Sequence, residues 1–237
     1  MTKQETTYLK GWAVLFMMFL HFGCDFVMPE YRYRWCGNDY AGAFQICVPI
    51  FLFLSGYGLM AGSMNKGFAV FDSFKKQARR CFKLLKHYWI VITPFVALAL
   101  WMGKFVWSWE SLILTATSLR CDWCPNAWFI SLYIELILLF PFFFWIINRR
   151  NVKWNICFLL FLVVVTKLLG KVGWIDAEGG ILSRQVKMFL IDMPIFVEGM
   201  LFAKYAIMLK ILAKFKNVNP GFNQIWGGYF YRFSFCM

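Results

Sequence analysis

Val48-Pro49-Ile50-Phe51-Leu52-Phe53-Leu54-Ser55-Gly56-Tyr57-Gly58-Leu59 is an apolar run relieved by one serine and two glycines. It lies inside Ala41–Met60, twenty residues without a charge, and about 20 helical residues cross roughly 30 Å of hydrocarbon. Outward from this stretch, comparable runs stand at Leu9–Met28, Tyr88–Gly103, Ala127–Ile147, Trp154–Leu169 and Met188–Leu209. The pattern specifies an all-α fold, a polytopic integral membrane helix bundle with about six transmembrane helices. The third and fifth runs are short and borrow flanking residues such as His87 and Lys171, whose polar tips reach the interface. The first run spans about 20 residues and ends in Asp25, Met28 and Pro29, which suits a retained helix better than a cleaved leader.

Composition agrees. The 237 residues are 61% hydrophobic, 21% aromatic and only 16% charged, with mean hydropathy +0.59, which excludes an ordinary soluble domain, a disordered chain or collagen. A net charge of +13 would suggest nucleic acid on a soluble protein, but here the basic residues sit between apolar runs, so no nucleic-acid partner is expected. Counted over alternate loops, fourteen Lys and Arg fall on the side of the N-terminus and seven on the other, which predicts a cytoplasmic N-terminus. Between Asn65 and His87, apolar residues such as Phe74, Phe82 and Leu85 interleave with five Lys and two Arg at helical spacing, predicting an amphipathic helix lying at the inner membrane surface. There is no internal repeat.

Charged or titratable groups inside a bilayer cost a few kcal/mol or more, so each needs a partner or a role. His21 and Asp25 stand four apart in the first span and share a helical face. A histidine oriented by a carboxylate suits general-base chemistry on a hydroxyl, and it equally suits a structural hydrogen bond. Glu135 and Glu198 lie deep and could pair with lysines, whereas Asp192, near a span end, reads as interfacial. Ser55-Gly56-Tyr57-Gly58 allows close approach of a second helix or of a ligand. Cys36, Cys121 and Cys124 fall on the outer side, where Cys36 could form a disulfide with either of the others. Cys121-Asp122-Trp123-Cys124 is a lone C-x-x-C without a second pair, and no metal is expected.

Four segments taken in order resemble the family-3 membrane acyltransferases, bacterial enzymes that O-acylate surface glycans. Leu9-Lys10-Gly11-Trp12-Ala13 followed by Leu20-His21-Phe22 is similar to the family's first helix with its characteristic histidine. Val48 to Leu59 is similar to its second helix. Phe74 to Lys83 with His87-Tyr88-Trp89 resembles the basic segment before the third, although Arg80 and Lys83 stand where the family has an R-x-x-R pair. Asn126-Ala127-Trp128-Phe129-Ile130-Ser131-Leu132-Tyr133 is similar to the start of the fourth span.

The resemblance covers roughly Tyr8 to Lys216 and implies transfer of an acyl group, commonly acetyl from acetyl-CoA, to a hydroxyl of a cell-surface polysaccharide or glycolipid. It implies no bound cofactor and a multi-pass location in the bacterial inner membrane. The implied site has His21 as general base or transient acyl carrier, oriented by Asp25. Arg79, Arg80 and Lys83 hold the donor phosphates, and Ser55, Tyr57, Asn126, Trp128 and Tyr133 line the cavity. The family usually has about ten spans, so residues 1–216 read as an acyltransferase-like transmembrane domain and residues 217–237 as an atypical tail, truncated or out of frame. The competing readings are a transporter or flippase of glycan or lipid intermediates, or an inactive truncated remnant. Related half-repeats would mark a transporter, and none is visible.

Overall fold

The computed structural model describes residues 1, 3–21, 45–64, 70–103, 108–119, 128–171 and 181–211. They form α1 (Lys3–His21), α2 (Cys47–Met64), α3 (Val70–Trp101), α4 (Trp109–Ala116), α5 (Trp128–Arg149), α6 (Val152–Lys171) and α7 (Ile181–Lys204), with a further helical turn, α8, over 207–211. No strand occurs among the described residues. Among them, α2, Phe74–Trp101 of α3, and α5 are long and apolar enough to cross a membrane. The chain is a multi-pass membrane protein, all-helical in its described residues, with helices overlapping every expected span.

A helix with charged residues along its length sits in the middle. α7 carries Lys187, Asp192, Glu198 and Lys204, a set too costly to face lipid, and it packs against α2, α5 and α6. Leu52 and Met60 of α2, Leu136 and Phe140 of α5, and Phe196 and Met200 of α7 are fully buried in this core. Apolar side chains on α3 and α6 face outward instead, among them Ile90, Phe95, Leu160 and Phe161, as a lipid-facing surface requires.

Backbone contact fixes the α2–α7 crossing. A Cβ added at Gly56 would run into the carbonyl of Phe196, and one at Gly199 would run into the carbonyl of Phe53. Two glycines, one from each helix, therefore let the backbones meet reciprocally, the geometry that favours Cα–H···O contacts. Gly58, one half-turn on, has open space around it. The two readings of Ser55–Gly58 thus divide: Gly56 serves helix packing and Gly58 borders a cavity.

Three sequence expectations change. The basic segment is not a separate surface helix, because Val70–Trp101 is one helix of 32 residues, about 48 Å long, and its excess length carries the basic half beyond the hydrocarbon. Glu135 and Glu198 form no ion pair with a lysine among the described residues. Lys204 instead donates to the carbonyls of Ile147, at 2.5 Å, and Arg150, at 3.0 Å, closing the end of α5. Asp192, read as interfacial, is buried in the bundle, eleven residues into α7. The short α4, unforeseen, is capped by Ser108 and tied to α3 by Tyr88 Oη donating to Thr115 O and Trp89 Nε1 donating to Ala116 O, both at 2.8 Å. Cys36, Cys121, Cys124 and residues 217–237 lie outside the described residues.

Candidate active site

Two cavities lie one above the other along α1, α2 and α5. The first, 440 Å³, is bordered by Lys10, by Ser55 and Gly58, by Arg80, Lys83 and His87, and by Tyr133. The second, 970 Å³, is bordered by His21, by Gln45 and the start of α2, by Trp128 and Phe129, and by Asp192. Helix direction sets the stacking: α1 passes the first at Lys10 and ends at the second, whereas α2 and α5 both start at the second. Eleven residues separate Lys10 from His21, about 16 Å at 1.5 Å per residue.

The first cavity is basic. Arg80, Lys83 and His87 recur at i, i+3 and i+7, so one face of α3 presents all three, and Lys10 is added from α1. Among the described residues, no acidic side chain borders the cavity. His87 Nδ1 lies 2.6 Å from the carbonyl of Lys83, an acceptor only, so Nδ1 carries a proton and Nε2 is the nitrogen left for other partners. Arg80 donates to Gln77 Oε1 at 3.1 Å, which anchors one edge of its guanidinium. Such a set suits phosphate, since each hydrogen bond to a charged group is worth about 1.5–3 kcal/mol.

Between the cavities stands a layer of rings and hydroxyls. Phe51 and Phe129 border the second cavity, and one turn along each helix Ser55 and Tyr133 border the first. Phe129 and Tyr133 stack at 5.9 Å between centroids, and the Ser55 and Tyr133 hydroxyl oxygens lie 3.2 Å apart. Ser55 Oγ donates to Phe51 O at 2.7 Å, which commits its single proton and leaves the Tyr133 hydroxyl to donate to Ser55.

In the second cavity, His21 closes α1 and Asp192 projects from α7. Asp192 is 7% exposed and makes no hydrogen bond or ion pair among the described residues, an arrangement that invites a proton donor. Trp128 and Phe129 supply aromatic faces and Gln45 an amide.

The anticipated residues therefore separate into two groups. Ser55, Arg80, Lys83 and Tyr133 come together at the first cavity, and His21 and Trp128 at the second. Arg79 is exposed and borders neither, being turned about 100° from Arg80 around the helix. Tyr57 also borders neither, since it is buried with its hydroxyl accepting from the Met1 amine at 2.8 Å. Asp25 and Asn126 lie outside the described residues. Lys10, His87 and Asp192 join the site unforeseen, although Lys10 and His87 stand inside the motifs that suggested it.

No curated protein and no solved structure shows a significant match to the chain. A family model for an acyltransferase domain, that of the family-3 acyltransferases, matches residues 5–221 and so embraces both cavities. With a match over most of its length, the chain belongs to the family-3 acyltransferases.

Proposed function

We propose that the chain transfers an acyl group, acetyl foremost, from acyl-CoA to a hydroxyl of a cell-surface polysaccharide or glycolipid. The observation that carries this reading is the pairing of a basic cavity with a histidine-bearing one along the same three helices. Lys10, Arg80, Lys83 and His87 take the donor phosphates. The thioester arm follows the layer of Ser55, Tyr133 and Phe129 across the roughly 16 Å to His21. A sugar suits the second cavity, because Trp128 and Phe129 offer rings to its C–H faces while Gln45 and Asp192 offer polar groups to its hydroxyls.

In the chemical step His21 takes the proton of the acceptor hydroxyl as its oxygen attacks the thioester carbonyl. The C–S bond breaks, an ester forms, and the proton passes from the imidazole to the departing sulfur. Transient acylation of the imidazole itself is the alternative route through the same residue. A cytoplasmic N-terminus places the basic end of α3 where acyl-CoA is found and His21 nearer the outer face of the inner membrane.

The test is His21→Ala in membranes, with transfer of labelled acetyl from acetyl-CoA to glycan as the readout. Activity should fall by about 10²–10⁴ while the amount of inserted protein stays level. An inserted His21→Ala protein with normal transfer overturns the assignment.

A further inference from the structure

At the opposite end of α5, a third cavity of 600 Å³ lies between α5 and α6. From this hollow we infer that the chain binds an anionic phospholipid there, with the phosphate on Arg149 and Arg150 and one acyl chain along Phe158 and Phe161. Both guanidiniums lie over indole rings. Arg149 lies 4.7 Å from the centroid of Trp145 and Arg150 lies 5.4 Å from that of Trp154, which holds both cations beside the cavity and places two indoles at headgroup level. Among the described residues, no acidic side chain borders the cavity, and the Lys204 ammonium adds positive charge behind it by donating to the Arg150 carbonyl.

The floor is polar and incompletely satisfied. Asn155 is 1% exposed, and its Nδ2 donates to Ile147 O at 3.1 Å and to Tyr205 Oη at 2.6 Å. Its Oδ1 is buried without a hydrogen-bond partner among the described residues, an acceptor suited to a headgroup hydroxyl. Phosphate therefore meets the rim and a hydroxyl meets the floor, the pairing that phosphatidylglycerol offers. Phe161 is 62% exposed and Leu160 58%, so the wall continues into the lipid-facing side of α6 and not into the core. Charge at one end with exposed hydrocarbon at the other favours a lipid over a soluble phosphate.

The experiment is native mass spectrometry of the full chain, purified in neutral detergent and offered equal amounts of phosphatidylglycerol and phosphatidylcholine. The wild type should retain phosphatidylglycerol about tenfold better. Arg149→Gln with Arg150→Gln should bring the two lipids level, Arg149→Lys with Arg150→Lys should fall between, and Lys75→Gln with Lys86→Gln should match the wild type. Equal retention of both lipids by the wild type overturns the proposal, and so does an equal loss in the Lys75/Lys86 variant. Displacement by inorganic phosphate at matched concentration would make this a phosphate site, and a lipid-free dimer would make it a contact between copies. Either result also overturns it.

Discussion

Asp192 shows how far a single side chain can be judged from its neighbours in sequence. By distance along the chain it stands near the edge of an apolar run, but α7 begins at Ile181, which places the carboxyl well inside the bundle and beside the cavity that His21 borders. The start of α7 is what the sequence concealed, because residues 181–187 mix apolar with polar types and do not read as part of a span. We expect Asp192 to act as a positioning residue, accepting from the His21 imidazole or from the acceptor hydroxyl it activates. Asp192→Asn should lower kcat on the order of ten- to a hundredfold, less than loss of His21, and displace the pH profile of kcat while leaving KM for acyl-CoA near its original value. An unchanged pH profile would reduce Asp192 to a packing role. Arg80 and Lys83 belong to the other cavity, so their signature is opposite: Arg80→Gln or Lys83→Gln should raise KM for acyl-CoA about tenfold. Arg79→Gln, altering an exposed neighbour on another face, should do much less, and equal effects at Arg79 and Arg80 would count against a cavity-specific role.

Among elements, the α2–α7 crossing is the joint on which both cavities depend. α2 borders each of them, and α7 brings Asp192 to one, so a shift at Gly56 or Gly199 displaces the whole site. Gly56→Ala or Gly199→Ala forces a methyl against a backbone carbonyl that cannot rotate away, and overpacking of this kind costs about 1–3 kcal/mol. Lower thermal stability in detergent is expected for both, whereas Gly58→Ala, with open space around it, should keep wild-type stability. If all three behave alike, the crossing is not held by backbone contact. The run at 48–59 announces α2 plainly, by length and lack of charge, but it cannot say which glycine packs and which borders a cavity. α3 was harder to read for a different reason. Its basic and apolar halves differ in composition and suggest two elements, yet no Gly or Pro stands between Val70 and Thr93 to break the backbone, so the helix runs on. α4 is eight residues long, too short for periodicity to separate it from a strand or a loop.

Across the whole molecule, the order of the cavities becomes a statement about sides. The basic cavity draws on Lys10 of α1 and on Arg80, Lys83 and His87 of α3, the histidine cavity on the C-terminal end of α1 and the starts of α2 and α5, so the two lie at different levels along the bundle. Lys and Arg are more numerous in the loops on the side of the N-terminus, and the proposed function takes that side as cytoplasmic under the positive-inside rule. On the proposed function, donor and acceptor reach His21 from opposite faces. Inverted membrane vesicles, whose cytoplasmic surface faces the medium, should transfer acetyl to enclosed glycan when acetyl-CoA is added outside. Sealed right-side-out vesicles should do so only after permeabilisation. Equal rates in the two sealed preparations would show that the donor enters from either side and would remove the reason for two separate cavities. The same vesicles separate transfer from transport: a flippase would move glycan without consuming acetyl-CoA, whereas the proposed transfer requires one thiol released for each ester formed.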